Sequence, residues 1–142
     1  MNIVQFPSWP SFTQEEADKV AEVLLSNKVN YWTGEEGRLF EKEFAAFSDS
    51  TYAIALANGT VALDLALYAL GIGAHNGGLA QDEVVVTSRT FMASVSSIVF
   101  AGAKPVFADV DIDSQNITPH TIAAVITPHT KAIIAVHLAG WP

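Results

Sequence analysis

Residues 83–110 read EVVVTSRTFMASVSSIVFAGAKPVFADV, and this stretch decides the predicted fold. It begins with a β-branched strand at 83–87 and continues with an apolar helical segment at 91–100 that Gly102 can end. A second strand follows at 104–109. Two strands joined through a helix in this way form a right-handed βαβ unit with parallel strands.

The same alternation extends in both directions from this unit. A helix at 61–70 ends at Gly71, and Thr118 begins another at 119–126. Further strands are predicted at 51–56 and 131–138. The predicted strands are apolar throughout and do not alternate, as expected when helices cover both faces of a sheet. The sequence therefore predicts an α/β fold with three layers and a mostly parallel sheet. The segment 71–80, which contains Asn76, Gly77 and Gly78, is predicted to be a long mobile loop.

The first 50 residues differ in character, since they hold thirteen of the twenty-two charged residues. Thr13 and Glu16 form a capping box at the start of a helix predicted over 13–27. A second helix is predicted over 35–47, with Phe40, Phe44 and Phe47 on one face, where core packing is one interpretation. Two domains follow: an N-terminal helical segment at 1–50 and an α/β domain at 51–142.

Composition excludes several classes of protein. The chain has 142 residues, 50% apolar and 15% charged, with seven Lys plus Arg against fifteen Asp plus Glu. Such an acidic chain has no basic patch for nucleic acid. No apolar run is long enough to span a membrane, and the start lacks a signal peptide pattern, so a cytoplasmic protein is expected. The absence of cysteine excludes disulfides and Cys-ligated metals.

The turn Ala57-Asn58-Gly59-Thr60 connects the predicted strand at 51–56 to the predicted helix at 61–70. Glycine allows a ligand to approach closely, and the free N–H groups of a first helical turn attract anions such as phosphate. The alternative is an ordinary helix cap by Asn58 or Thr60. The turn lacks the lysine of the NTPase loop and the three glycines of the dinucleotide fingerprint.

Three other groups of residues suggest chemistry. Thr87-Ser88-Arg89-Thr90-Phe91 follows a strand, where ligands of α/β sheets bind, and Phe91 either stacks on a planar cofactor or packs under the sheet. The carboxylates of 109–113 form either a metal site or, more simply, a solvated turn. His137 ends a strand and fits a hydrogen-bonded core residue better than a catalyst. No histidine pair has metal-ligand spacing, so no metal site is predicted.

Taken in order, these motifs resemble the N-terminal part of the DegT/DnrJ/StrS family of sugar aminotransferases. The resemblance covers residues 7–142 and rests on Trp32-Thr33-Gly34, Phe40-Glu41, the runs 57–63, 69–73, 82–84 and 90–91, the run 102–111 (GAKPVFADVD), the run 126–133 and Val136-His137-Leu138.

The resemblance implies a fold-type-I enzyme dependent on pyridoxal 5'-phosphate (PLP), of whose large domain this chain is an incomplete part. Such enzymes are homodimers that move an amino group, typically from glutamate, to a keto sugar linked to a nucleotide. Their products serve lipopolysaccharide, O-antigen or antibiotic synthesis. By position, Thr60 and the N–H of Val61 would hold the cofactor phosphate, Gly59 would allow its close approach, and Phe91 would stack on the pyridine ring. Tyr31, Trp32, Thr33 and Gly34 would line the entrance for the sugar nucleotide.

The chain departs from the family pattern in two respects. The family's Schiff-base lysine and the Asp that pairs with the pyridine nitrogen lie beyond residue 142, and none of Lys19, Lys28, Lys42, Lys104 and Lys131 matches that lysine. No catalytic residue is therefore assigned, and the chain alone is expected to bind PLP weakly and to be inactive. The loop at 71–81 is also longer than the family's usual connection.

Two alternatives to the enzyme remain open. One is a non-catalytic interaction or decoy domain that pairs through the family's dimer surface. The other is a small doubly wound domain that binds a nucleotide at Asn58-Gly59-Thr60. The apolar composition also predicts that the isolated chain is poorly soluble or oligomeric.

Overall fold

The computed structural model describes residues 8–141, so residues 1–7 and Pro142, which belong to the predicted N-terminal segment and to the ends of the resemblance, lie outside the described residues. The helices are α1 (Gln14–Leu25), α2 (Glu36–Phe47), α3 (Gly59–Ala69), α4 (Ala93–Phe100) and α5 (Pro119–Ala123), and the strands are β1 (Glu83–Thr87), β2 (Lys104–Ala108) and β3 (Thr130–Ile134). Two short 3-10 turns lie at Ala74–Asn76 and Leu138–Gly140. The chain divides into two compact units, of which one ends at Ala55 and the other starts at Leu56. This boundary lies five residues after the one that the sequence suggests.

The sheet of the second unit is parallel, with strand order β2-β1-β3. Val85 of the central strand lies beside Val106 on one side and Ile133 on the other. Because β2 and β3 flank β1, right-handed crossovers would place α4 and α5 on opposite faces of the sheet. The structure shows α4 packed on β1 and β2. The predicted α/β class with a parallel sheet is confirmed.

The core of this unit is built around β1 and α4. Leu67, Ile72, Val84, Val86, Ile98 and Ala101 form one buried apolar cluster. Only β1 is buried along nearly its whole length, whereas Phe107 of β2 and Ile133 of β3 are about half exposed. The prediction that all strands are buried on both faces is therefore wrong for β2 and β3, because these are the two edges of the described sheet.

Two of the predicted strands also differ from the structure. Residues 51–56 form no strand, and the N–H of Ala55 donates to the Glu41 carboxylate at 2.9 Å instead of joining a ladder. The last strand ends at Ile134, so 135–138 lies outside the sheet. An apolar run becomes a strand only where a neighbouring backbone is available, and the described residues offer these two segments none.

The N-terminal unit confirms both predicted helices. Thr13 caps α1, and its N–H donates to the Glu16 carboxylate at 2.6 Å, which completes the predicted capping box. Phe40, Phe44 and Phe47 follow one another on α2 with ring centroids 5.7 and 6.2 Å apart. All three rings are exposed, so the core-packing interpretation is wrong for the chain as described.

The connection between α3 and β1 is tied down rather than free, which contradicts the predicted mobile loop. The N–H groups of Ala74 and His75 donate to the carbonyls of Gly102 and Ala101 at 3.2 and 3.0 Å. At the other end, the buried carboxylate of Asp82 accepts hydrogen bonds from Gly73 at 3.1 Å and Leu79 at 2.9 Å. Composition alone does not reveal these bonds, because their partners lie at the end of α4 and the start of β1.

Asp82 should make the stability of this unit depend on pH. Hydrogen bonds from the Leu79 and Gly73 N–H groups hold the pKa of Asp82 below its usual value, and the charges of Lys131 and His129 act in the same direction. A carboxyl with a lowered folded pKa stabilises the fold above its unfolded pKa, and that stabilisation is lost as the pH falls through the folded pKa.

We therefore expect Asp82→Asn to lower the unfolding temperature at neutral pH, with the deficit shrinking progressively as the pH falls below the ordinary pKa of aspartate, about 3.9. Thermal unfolding followed by circular dichroism measures the effect. Asp113→Asn is the matched control because that carboxylate is exposed. A deficit that stays the same throughout this acid range would show that the Asp82 carboxylate does not stabilise the loop.

Candidate functional site

The first candidate feature is the start of α3. The Asn58 side chain caps the helix and accepts a hydrogen bond from the Val61 N–H at 3.1 Å. Within residues 8–141, the N–H groups of Gly59 and Thr60 and the Thr60 hydroxyl have no hydrogen-bond acceptor. A Cβ built on Gly59 meets nothing within 4 Å, so the space beside this turn is open. The turn therefore offers two free N–H groups, a hydroxyl and room for an anion.

These residues fit a phosphate with one reservation. The sequence expectation uses the Val61 N–H for the phosphate, but in the structure that N–H already bonds to Asn58. The helix-cap alternative is thus confirmed for Asn58, and it leaves Gly59 and Thr60 free. A phosphate at this turn would share the Val61 N–H with Asn58 or displace the Asn58 side chain.

The second feature is Phe91, which lies between the carboxyl end of β1 and the start of α4. Its ring is 78% exposed, which rules out the alternative that it packs under the sheet. The Thr90 and Ser94 hydroxyls lie 2.9 Å apart and brace this turn. An exposed aromatic ring held by a well-bonded turn can stack on a planar ligand.

Gly59, Thr60 and Phe91 lie at one end of the unit. The hydrogen bonds from residues 74 and 75 to 102 and 101 join the carboxyl ends of α3 and α4. Because α3 also packs on α4, these bonds at the carboxyl ends indicate that the two helices run in the same direction. A helix that follows a parallel strand begins at the strand's carboxyl end, where α/β proteins bind ligands. This rule applies to α4, which follows β1, so Phe91 lies at the carboxyl end of the sheet. The start of α3 points toward the same end because α3 and α4 run in the same direction.

The loop after β2 contributes to the same edge. One carboxylate oxygen of Asp111 accepts hydrogen bonds from the N–H groups of Asp113 at 3.1 Å and Ser114 at 2.9 Å. These bonds, led by the one from Ser114, lower the pKa of Asp111. The solvated-turn alternative for 109–113 thus describes the structure. In the part of the chain that is described, no three acidic or histidine side chains are grouped to hold a metal ion. His137 is exposed, so its interpretation as a core residue is wrong.

The predicted substrate residues lie in the N-terminal unit and form a compact turn of their own. The Asn30 side chain accepts hydrogen bonds from the N–H groups of Trp32 and Thr33 at 3.0 and 3.1 Å. Gly34 is buried, and a Cβ there would lie 2.3 Å from the Lys28 carbonyl oxygen, so only glycine fits. The turn has the rigidity that a binding loop needs.

The turn carries two aromatic side chains, those of Tyr31 and Trp32. The Tyr31 hydroxyl donates to the Glu41 carboxylate at 2.9 Å, and the Arg38 guanidinium lies 5.0 Å from the Tyr31 ring centroid. Trp32 meets Tyr31 edge-on, with ring centroids 6.3 Å apart, and is 84% exposed. An exposed indole beside a fixed phenol can contact a ring of a substrate.

Two features of the structure have no role predicted from the sequence. Arg89 lies inside the quoted motif 87–91, and its guanidinium donates to the Gln115 side chain of the loop after β2. Asp82 closes the 71–82 connection as described above. The position of Asp82, between a glycine-rich loop and a strand, is the sequence feature that could have indicated its role in closing the loop. Nothing local signals the Arg89–Gln115 pair, because twenty-six residues separate its members.

A parallel α/β unit with a free helix amino terminus and an exposed aromatic ring after its central strand has features that phosphate-bearing cofactors use in α/β proteins. The sequence model of the DegT/DnrJ/EryC1/StrS aminotransferase family matches residues 4–142. The chain belongs to this family, and its fold is part of the fold of PLP-dependent aminotransferases.

Individual relatives agree with this membership. An aminotransferase from Psychrobacter cryohalolentis is 64% identical, with a TM-score of 0.88 over 97% of this chain and 33% of the solved one. The 3-amino-5-hydroxybenzoate synthase of Amycolatopsis mediterranei is 38% identical over 96% of this chain and 34% of its own length. The chain thus spans about a third of the length of the relatives it matches.

Two further solved relatives carry ligands. NtdA from Bacillus subtilis, solved with the bound cofactor PMP, is 30% identical, with a TM-score of 0.78 over 99% of this chain and 32% of its own. DesI, solved in the presence of its TDP-sugar product, is 34% identical, with a TM-score of 0.71 over 89% of this chain and 30% of its own. In the described residues of the present chain, every helix is too short or too polar to cross a bilayer.

Proposed function

We propose that this chain is the N-terminal part of a PLP-dependent aminotransferase that transfers an amino group, from glutamate, to a keto sugar linked to a nucleotide. The amino sugar would serve lipopolysaccharide, O-antigen or related synthesis, and the enzyme would act as a cytoplasmic homodimer. The observations that carry the proposal are the free first turn of α3 and the exposed ring of Phe91, in a chain of an aminotransferase family.

The proposed roles of the chain's residues follow from their surroundings. Gly59 and Thr60 would bind the cofactor phosphate through their N–H groups, Thr60 through its hydroxyl as well, and Val61 once its N–H is shared with Asn58. Phe91 would stack on the pyridine ring and exclude water from one face. When bound, PLP supplies the electron sink that transamination requires.

Tyr31, Trp32, Thr33 and Gly34 would form part of the sugar-nucleotide entrance. The support is the rigid Asn30-centred turn with its exposed indole, together with a relative solved in the presence of a TDP-sugar. The residues of this turn touch neither the phosphate nor the amino group in the proposal. They would govern affinity for the sugar nucleotide and leave cofactor binding unchanged.

The amine-carrying lysine would come from outside residues 8–141 of this chain. Lys104 and Lys131 lie at the amino ends of β2 and β3, whereas the proposed cofactor site lies at the carboxyl edge of the sheet. We therefore propose that the chain on its own does not catalyse transamination.

The test uses the longest reading frame that contains this segment. The purified protein, loaded with pyridoxamine phosphate, is mixed with nucleotide-linked keto sugars, and the amino sugar nucleotide is detected by mass spectrometry. We expect amination of at least one keto sugar nucleotide and regeneration of the amino form by glutamate. Trp32→Ala should raise the KM for the sugar nucleotide without changing the KM for glutamate. Amination of free keto acids only would overturn the sugar-nucleotide assignment.

A further inference from the structure

We propose that Arg89 is an anion-binding residue of the substrate site, one that receives a carboxylate of the amino donor or the diphosphate of the sugar nucleotide. This inference rests on the proposed function, since it assumes that substrates enter at the carboxyl edge of the sheet. Arg89 lies two residues after β1 and two residues before Phe91, which places it on that edge. Its side chain is exposed, so a ligand can reach it.

The guanidinium of Arg89 is oriented by a neutral partner. It donates to the side-chain oxygen of Gln115, and the Gln115 amide nitrogen donates to the Ile112 carbonyl at 2.6 Å. The second bond fixes which end of the amide faces Arg89. The backbone around Arg89 is fixed as well, because its N–H donates to the Thr87 hydroxyl at 3.1 Å. The side chain is thereby pre-organised, which lowers the entropy lost on binding a ligand.

The positive charge of Arg89 has no acidic partner close by. Between residues 8 and 141, the ion pair within 4.0 Å joins Lys19 to Glu22, and no carboxylate lies that close to Arg89. A guanidinium has five N–H donors in a planar fork, and one neutral amide oxygen leaves most of them free. Carboxylates and phosphates match that fork, commonly with two parallel hydrogen bonds.

Two of the three carboxylates in the neighbouring loop, those of Asp109 and Asp111, accept hydrogen bonds from the loop's own backbone. Asp109 accepts a hydrogen bond from the Val110 N–H at 2.8 Å, and Asp111 holds the turn that presents Gln115. The N–H of Gln115 donates to the Asp111 carbonyl at 2.9 Å. The loop thus supports the site, because the Asp111 carboxylate stabilises the turn and the Gln115 side chain positions Arg89.

Gln115 is a positioning residue, and its backbone suggests a clean variant. Its φ is +61°, a left-handed conformation that glycine adopts without strain. Gln115→Gly therefore removes the amide that orients Arg89 and keeps the loop conformation accessible. Lys104→Gln is the matched control, because it removes one exposed positive charge at the opposite edge of the sheet.

The experiment compares full-length wild type, Arg89→Gln, Arg89→Lys, Gln115→Gly and Lys104→Gln in the cofactor-loaded protein. Steady-state kinetics give the KM for glutamate and for the sugar nucleotide. Calorimetry gives the Kd of two probes, glutarate for the donor carboxylate and inorganic pyrophosphate for the diphosphate. We expect Arg89→Gln to weaken one probe and the matching substrate about tenfold. Arg89→Lys should restore part of the loss, and Gln115→Gly should cause a smaller loss in the same ligand.

The probe that responds identifies the source of the anion. Unchanged binding of both probes in Arg89→Gln, or an equal loss in Lys104→Gln, overturns the proposal. A wild-type protein that binds a probe through Arg89 but aminates nothing would contradict the proposed function and keep the anion site. If the wild-type protein aminates its substrate and Arg89→Gln changes neither kinetics nor probe binding, the proposed function stands and the anion site is overturned.

Discussion

Gly73→Ala should destabilise the second unit more than Gly71→Ala or Gly77→Ala. Gly71 and Gly77 belong to the same connection, and a Cβ at either would have open surroundings. Gly73 has φ +88° and ψ 157°, a region that is essentially restricted to glycine, and forcing alanine there costs about 1–3 kcal/mol. The new Cβ would also lie 2.2 Å from the Ala101 carbonyl oxygen. Displacing that backbone adds about 1–3 kcal/mol. The midpoint of urea unfolding, at constant slope, measures the sum.

Gly77→Ala separates the two causes. Gly77 has φ +89° and ψ 1°, but a Cβ there meets nothing within 4 Å. The strain of a left-handed alanine remains, at about 1 kcal/mol, and the clash does not. Equal losses in the two variants would show that Gly73 does not pack against the end of α4 as described.

Phe91→Ala should cause the largest loss of cofactor in the full-length protein. Removing an aromatic ring that stacks on a flat heterocycle costs about 1–3 kcal/mol by analogy with stacked bases, which corresponds to about a ten- to hundredfold rise in the Kd of PLP. The free energy of unfolding should not change, because the Phe91 ring is mostly exposed. Dialysis followed by absorbance of the retained cofactor measures the loss.

Two variants control for this result. Phe91→Trp keeps a flat ring and should retain the cofactor. Phe107→Ala removes another exposed phenylalanine from the edge strand β2 and should leave cofactor retention unchanged. Cofactor lost equally from the Phe91→Ala and Phe107→Ala proteins would contradict the stacking role.

The sequence predicts well those elements whose causes are local. The capping box at Thr13 and Glu16 is read from four residues, and the bounds of β1 follow from a β-branched run between polar neighbours. Gly71, with φ +63°, ends α3 as its position suggests. In each case the chemistry that sets the structure lies within one turn of the chain.

The errors fall where a distant partner decides. The run 51–56 has strand composition but no strand beside it in the described residues, and Ala55 bonds to Glu41 instead. The glycine-rich connection 71–82 looks mobile until Asp82 closes it from the start of β1. Phe40, Phe44 and Phe47 have the spacing of a core face and yet are exposed. Their spacing is a local property, whereas burial depends on what else packs there.

The candidate site divides in the same way. The sequence indicates the turn 57–60 and Phe91 because their residue types suit ligand binding and their positions next to predicted elements are local information. The side-chain bond from Asn58 to the Val61 N–H changes which N–H groups are free, and the Arg89–Gln115 pair depends on the loop after the next strand. Neither contact can be predicted from the sequence, because each depends on how the chain folds.

In the proposed site, the first turn of α3 binds the phosphate of a pyridoxal cofactor and Phe91 stacks on its ring. The most direct measurement is equilibrium binding of pyridoxamine phosphate to the full-length apoprotein and to its Thr60→Val variant, with pyridoxamine lacking the phosphate as the comparison ligand. We predict one site per chain, much weaker binding of the unphosphorylated ligand, and a loss in Thr60→Val for the phosphorylated ligand alone. Failure of the full-length protein to bind pyridoxamine phosphate, or equal affinity for the two ligands, would contradict the account.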